Sequence, residues 1–452
     1  MAKKEYLGRY TRLLPVIGML FIGSIPNIIG AQTKAELAQR VSQLEQDLAA
    51  ARQALNAATQ REQSALDRAH QAEEQLSATN TKLAPANIQI GNLTVGGAIR
   101  ANYIIGDYDN PSPDRPSRGG DGGNFELDTF RINLDYISGP YSAKVEYRFY
   151  NTYNFLHTAW IGYTLEDESR LQLGVNRVPF GPGAYGVSQS WLFDQHYYVG
   201  LSDDMDLGIK YTFQPDNWTF DLAYYISDEG QWRGASQDSA RYSYDVVNES
   251  GDGYQENHQL NLRAIYHTQL GNVDTALGGS MQYGHLASQG NQSDGAHYAG
   301  SLHAVLKWND WTLAPQLTYY HYDVDAHRVQ SGVISEELID LGAYDFAWPV
   351  AAEAWIPAIS LSRYYETPRI AWLDSITPYL EYSSIIKTAQ GHNDSELFIL
   401  GAAWAHGGWY IYTDLAFSNG NYFVGGDSFT TFGENADDTW QSRFNLNFGY
   451  YF

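Results

Sequence analysis

Twelve histidines and plentiful serines are the residues here best suited to acid–base or nucleophilic chemistry. His157, His258, His267, His303 and His321 are candidate bases, yet neither a Gly-x-Ser-x-Gly elbow nor a His-Glu-x-x-His pair occurs. Cysteine is absent from all 452 residues, which excludes a disulfide framework, a Cys-ligated zinc or iron–sulfur site and a thiol nucleophile. The expectation is a protein that catalyses no reaction and needs no cofactor or metal. Charged side chains remain as carriers of chemistry. They number 28 Lys and Arg against 52 Asp and Glu, a net charge of -24, so no nucleic-acid partner is expected.

The spacing of the polar residues says which elements hold them. Leu93, Val95, Ile99, Ala101, Tyr103 and Ile105 are interleaved with Thr94, Arg100 and Asn102. Phe130, Ile132, Leu134 and Tyr136 alternate with Arg131, Asn133 and Asp135, and Ala143, Val145, Tyr147 and Phe149 with Lys144, Glu146 and Arg148. A period of two describes strands with one apolar and one polar face. Sixteen such segments begin near residues 92, 124, 141, 155, 170, 204, 218, 257, 273, 296, 311, 353, 376, 396, 409 and 439.

Short links such as 138–140, 166–169, 214–217, 269–272, 309–310 and 406–408 occupy one alternate set of connections. The long ones, 109–123, 182–203, 228–256, 325–350 and 419–438, fall in the other. Two-faced strands with short turns at one end and long loops at the other describe an all-β transmembrane protein, a 16-stranded antiparallel outer-membrane β-barrel. An even strand number places both termini on the short-turn, periplasmic side. Sixteen strands leave a water-filled lumen, where about eight would be plugged by side chains. Tyr103, Tyr108, Tyr136, Trp218, Tyr224, Trp308, Trp311, Tyr319, Trp409 and Trp440 lie near strand ends and are expected to form interfacial girdles.

The first residues read as an address. Lys3, Lys4, Arg9 and Arg12 precede an apolar run from Leu13 to Gly23 and a small-residue exit near Ala31, so residues 1–31 are expected to be a signal peptide. From Leu37 to Leu83 a four–three spacing (Leu37, Val41, Leu44, Leu48, Ala51, Leu55 and onward) runs without Gly or Pro, which predicts an α-helical coiled coil over 32–84 in the periplasm. At about 1.5 Å per residue it projects roughly 70 Å. Pro85 ends it, 85–91 is the linker, and 92–452 is the barrel. The last strand alternates Trp440, Phe444, Leu446, Phe448, Tyr450 and Phe452 with Arg443, Asn445, Asn447 and Gly449, and resembles the signal read by the bacterial outer-membrane assembly machinery.

Arg170-Leu-Gln-Leu-Gly-Val-Asn-Arg177-Val-Pro179-Phe180-Gly181 resembles the basic-x-Pro-Phe-Gly signature of the phosphate-selective porin O and P family. Asp206-Leu207-Gly208-Ile209 is similar to that family's Arg-Asp-hydrophobic-Gly segment. The resemblance covers 90–452, with its best match at 170–213. It implies a trimer of 16-stranded barrels with the long loop after the fifth strand folded into the pore. Two departures matter. Met205 stands where the second motif has arginine, and 182–203 contains no Lys or Arg but does contain Asp194 and Asp203, with Asp204 adjacent. Phosphate selection requires Arg or Lys to replace the hydration of a dianion. The family's substrate is therefore not transferred with its fold.

Alternation assigns Arg100, Arg131, Lys144, Arg148, Lys210, Arg263, Lys307 and Arg443 to the lumen, with Asp135, Glu146, Asp206, Asp221, Glu381 and Asp414 as acidic counterparts. Arg131, Lys144 and Arg148 form either an anion-attracting patch or wall ion pairs with Asp135 and Glu146. Asp194, Asp203 and Asp204 are the candidates on the constriction loop. After Ala86 the chain carries 18 basic and 44 acidic residues, many of the acids in long loops, where they favour cations or bridge lipopolysaccharide through divalent ions.

The expected function is diffusion of small hydrophilic solutes and ions, weakly or mildly cation-leaning. The alternatives are an anion- or phosphate-selective pore and a tether from the bilayer to peptidoglycan through the coiled coil. The tether reading predicts that deleting residues 32–84 abolishes co-sedimentation with peptidoglycan sacculi and leaves single-channel conductance unchanged.

Overall fold

The computed structural model describes residues 88–107 and 124–452, apart from 427 and 437. The expected signal peptide, the coiled coil, Tyr108 and the first residues of the linker lie outside the described residues. Residues Ile88–Ile90 of the expected linker form a short strand folded back on Leu93–Val95.

Sixteen antiparallel strands make the wall: β1 (Leu93–Gly106), β2 (Asn124–Ser138), β3 (Tyr141–Phe149), β4 (Asn154–Thr164), β5 (Arg170–Arg177), β6 (Met205–Phe213), β7 (Trp218–Asp228), β8 (Tyr254–Leu270), β9 (Val273–Ser288), β10 (Gly295–Trp308), β11 (Trp311–Asp323), β12 (Glu353–Arg363), β13 (Ser375–Lys387), β14 (Ser395–His406), β15 (Trp409–Asn419) and β16 (Trp440–Tyr451). Each pairs with its neighbours in sequence, and β16 closes on β1 from Ala98 opposite Tyr451 to Gly106 opposite Arg443. All sixteen expected strands are present, and the largest offset is at β8, which begins at Tyr254 rather than 257.

The wall is inside out relative to a soluble sheet. Along β7, Trp218, Phe220, Leu222, Tyr224 and Ile226 face outward, from 37% exposed at Phe220 to 52% at Ile226, while Thr219, Asp221, Ala223 and Tyr225 are buried. Large apolar side chains left outside and carboxylates turned in are stable when the outside is hydrocarbon. Closure is then obligatory, because hydrocarbon supplies no partner for an unpaired backbone N–H or C=O.

Bulges break the strict alternation at defined places. Between β1 and β2 the register skips Asp128, so that Asp128 and Thr129 both turn inward and the outward series changes from Phe125 and Leu127 to Ile132, Leu134 and Tyr136. The β3–β4 pair skips His157 in the same way, and both His157 and Thr158 are buried.

The long connections fold inward. Residues Tyr197–Val199 form a single 3₁₀ turn in the loop after β5, and Leu338–Ala343, Phe346–Ala351 and Asp245–Val246 form a small three-stranded sheet from two further loops. Their aromatic rings make a core at the long-loop end of the barrel. Tyr198 stacks on Phe423 at 5.4 Å and on Phe432 at 5.3 Å, and Tyr244 meets Trp348 edge-on at 4.8 Å. The apolar core of this protein therefore lies between loops within the barrel.

The seam that closes the wall ends on Phe452, whose N–H and C=O exchange hydrogen bonds of 3.0 and 2.7 Å with Gly97. Its ring covers Gly97 so closely that a Cβ there would stand 2.8 Å from the ring and 2.5 Å from the Arg131 carbonyl. Deleting Phe452 removes the last pair of the closing ladder. The expected outcome is a marked loss of heat-modifiable, folded barrel on electrophoresis.

Candidate functional site

The basic-x-Pro-Phe-Gly segment launches the chain into the lumen. Strand β5 stops at Arg177, Pro179 has no N–H for a ladder, and Gly181 takes a φ of +68°, in the left-handed region where a side chain is strained. The Gly181 N–H donates to Ser280 Oγ on β9 at 3.0 Å. The loop then crosses to the far wall.

An irregular backbone inside a barrel must find partners for its amides, and polar side chains of the wall provide them. Glu381 on β13 accepts from Ser188 Oγ at 2.7 Å, the Gln189 N–H at 2.5 Å and Ser360 Oγ at 3.0 Å. Asp414 on β15 accepts from the Trp191 N–H at 3.2 Å. Ser383 Oγ accepts from the Gln195 N–H at 3.0 Å, and His196 Nε2 bonds to Thr318 Oγ1 at 2.8 Å. The loop returns to its origin where Arg177 donates to Asp203 at 2.8 and 3.0 Å.

Pinned on this side, the loop leaves a cavity of about 220 Å³ against the wall made by β16, β1, β2 and β3. Arg100, Arg131, Arg148 and Arg443 line it, with Asp128 and Asp203 as the acidic members. Arg100 pairs with Asp128 at 2.8 Å. Arg148 and Arg131 share Glu146, at 2.7 and 3.4 Å. Arg443 donates to the Phe423 carbonyl at 2.6 Å and to Asn445 at 2.7 Å.

Aromatic faces fix the guanidinium planes: Arg100 lies 4.4 Å over Trp191, Arg148 4.4 Å over Tyr242 and Arg131 5.1 Å over Tyr451. Tyr242, from the loop 229–253, also donates to Asp203. Burial, then the negative charge of Asp203, pushes its phenol well above the usual range and keeps it a donor.

Of the expected pore-lining residues, Arg100, Arg131, Arg148 and Arg443 meet in this cavity, with Glu146 behind them. The others sit elsewhere on the wall. Lys144 pairs with Asp135 at 3.4 Å, Lys210 donates to the Arg177 carbonyl at 2.8 Å, Arg263 pairs with Asp221 at 2.8 Å, and Lys307 stands beside the 309–310 turn. On the loop, Asp203 lines the cavity but Asp194 does not. Asp194 spends its oxygens on the Val187 and His196 N–H groups, at 3.1 and 2.8 Å, and is a brace for its own turn. Asp204 is buried on the opposite face of the loop end, among other acids.

Of the family-motif residues, Arg177 and Gly181 hold the two roots of the loop, and Phe180 is buried beneath it. Asp206 accepts from Gln259 at 2.9 Å, and Gly208 allows a close approach, since a Cβ there would stand 2.2 Å from the Tyr224 carbonyl. The candidate bases do not converge: His157 lies under Tyr242, whereas His258 and His321 bond to the outward Tyr224 and Tyr298. Asp128 breaks the alternation, and in the sequence it is marked by the change of phase between Leu127 and Phe130.

A closed barrel, apolar without and charged within, narrowed by an inserted loop, defines a porin-type fold. Comparison with solved structures agrees. The chain is similar to the outer membrane channel DcaP of Acinetobacter baumannii at 12% identity over 80% of this chain and 97% of that one, with a TM-score of 0.52. It also matches Salmonella typhi OmpF in complex with daunomycin (12% identity, 81% and 100% covered, TM-score 0.49) and an anion-selective porin from Comamonas acidovorans (11%, 80% and 99%, 0.46). No protein-family model and no curated protein matches the chain.

Glu381 is the anchor with most donors on the loop. Replacing it by alanine frees Ser188 and Gln189 and is expected to raise single-channel conductance and open-channel noise in planar bilayers, with heat-modifiable folding retained.

Proposed function

We propose that this chain is a bacterial outer-membrane diffusion porin that passes small hydrophilic solutes and ions with weak charge selectivity. The observation that carries the reading is the inserted loop, which crosses a wide barrel and leaves beside it a cavity lined by arginines, tyrosines and two aspartates. No residue lining that cavity pairs a nucleophile with a base. The proposal includes a homotrimer, both termini in the periplasm, a bilayer and lipopolysaccharide around the barrel, insertion by the outer-membrane assembly machinery, and the coiled coil as a route to peptidoglycan.

Weak selectivity follows from opposed charges. Acidic loops at the mouth concentrate cations, whereas the constriction carries Arg100, Arg131, Arg148, Arg177 and Arg443 against Asp128, Glu146 and Asp203, a local surplus of positive charge. That surplus favours a second reading, an anion- or phosphate-selective pore, in keeping with the resemblance of the 170–213 segment to the phosphate-selective family. Here the arginines would come from the wall, since the loop has none.

In a KCl gradient across a planar bilayer, the first reading predicts a K⁺/Cl⁻ permeability ratio within about threefold of unity. A strong anion preference with block by phosphate would favour the second. In either case the double variant Arg131→Gln, Arg443→Gln, which leaves Glu146 paired to Arg148, shifts the reversal potential toward cation selectivity.

A further inference from the structure

Behind the constriction loop, where β6, β7 and β8 begin or end at the long-loop side, seven carboxylates gather: Asp204, Asp206, Asp228, Glu229, Asp238, Asp245 and Glu256. Every ion pair they make among the described residues goes to one cation, the fully buried Arg241, which reaches Asp228 at 2.6 Å, Asp238 at 2.6 Å and Asp245 at 3.1 Å. That guanidinium is saturated by three acids and leaves the others without compensation.

The remaining oxygens are partly used. Asp206 Oδ2 accepts from Gln259 at 2.9 Å, Glu229 Oε1 from the Tyr242 and Ser243 N–H groups at 3.1 and 2.7 Å, and Glu256 Oε1 from the Val246 N–H at 3.0 Å. Three are not. Asp204 Oδ1, Asp206 Oδ1 and Glu229 Oε2 are sealed from solvent and accept from no N–H or hydroxyl group, and only the Asp245 carboxyl stands within hydrogen-bond reach of Asp204 and Glu229. Asp204 is 6% exposed, Asp206 2% and Glu229 7%. A buried carboxylate oxygen without a donor is costly, and several together more so.

We propose that Asp204, Asp206 and Asp245 bind a divalent cation, Ca²⁺ by the chemistry of the donors. One carboxylate oxygen of each lies within 4.8 Å of the others. Oxygens bound to one Ca²⁺ at about 2.3–2.6 Å lie no more than about 5.2 Å apart, so the three can share one ion, and a dry set of carboxylates suits Ca²⁺ because Mg²⁺ keeps several of its waters. The set is all oxygen, as a hard cation requires, and the Glu229 oxygen is a nearby fourth donor. The three ligands come from two stretches of chain: Asp204 and Asp206 flank Met205 where the constriction loop runs into β6, and Asp245 belongs to the loop 229–253, held against Gly342 of the small sheet. A cation here ties the root of the constriction loop to the loop that covers it.

The test uses the full chain, purified in detergent and stripped over a chelating resin. Calorimetric titration with CaCl₂ is expected to give one site per chain, with Ca²⁺ raising the temperature at which the folded band is lost. The double variant Asp204→Asn, Asp206→Asn is expected to bind Ca²⁺ at least tenfold more weakly and to fold without it, since it removes two of the repelling charges. Equal Ca²⁺ binding by variant and wild type would overturn the proposal, and equal affinity of the wild type for MgCl₂ would overturn the assignment to Ca²⁺. Should the variant fail to fold, elemental analysis of the wild type after dialysis against excess CaCl₂ and then metal-free buffer decides: about one calcium per chain supports the site, and none overturns it. Conductance is not read in this experiment, so its outcome is separate from that of the diffusion reading.

Discussion

Every feature of this protein depends on one constraint: no backbone amide may face the surrounding medium unpaired. With apolar side chains outward on all sixteen strands, the sheet can satisfy its edges only by meeting itself, and β16 does so along β1 down to the reciprocal bonds of Phe452 and Gly97. Closure turns the polar face of each strand inward. The side chains that a soluble sheet would show to solvent become instead the inner lining of a tube.

That lining has a second use. The loop after β5 has no regular secondary structure beyond one 3₁₀ turn, yet it lies inside the barrel, where an unpaired amide is costly. The wall answers with Ser280, Thr318, Glu381, Ser383 and Asp414, each aimed at a particular loop group. The polar face of the strands is thus the template on which the constriction loop is held. The tyrosine-rich composition serves the same end, since rings from four loops supply the apolar core that the lumen otherwise lacks.

Alternation made the barrel legible because its period is set by strand geometry alone, and short turns separate cleanly from long loops by length. Wall pairs such as Lys144 with Asp135 were also within reach, since the two stand directly opposite across β2 and β3. What alternation cannot convey is a place where it lapses. Asp128 and His157 reach the lumen through bulges, and a strict period assigns them to the wrong face. Nor does a run of loop acids reveal which of them fold under. Asp194, Asp203 and Asp204 look alike in sequence, but one braces its own turn, one lines the cavity and one is buried among acids, because tertiary packing chose between them.

The net charge of the chain is for the same reason a poor guide to the pore. Exposed loop acids act through water, where screening at physiological salt weakens their field over about 8 Å, so they act at the mouth more than at the cavity inside. The acids paired to Arg241, Asp228, Asp238 and Asp245, are not among the residues that line the cavity. The lining of the cavity beside the loop is set by β1, β2, β3 and β16, where Arg131 and Arg148 stand directly opposite one another. Two like charges in that position repel, and here a single carboxylate, Glu146, holds both. One acid cannot neutralise two guanidiniums. The constriction therefore keeps a positive residue of charge in a strongly acidic protein, and it does so through the register of two adjacent strands.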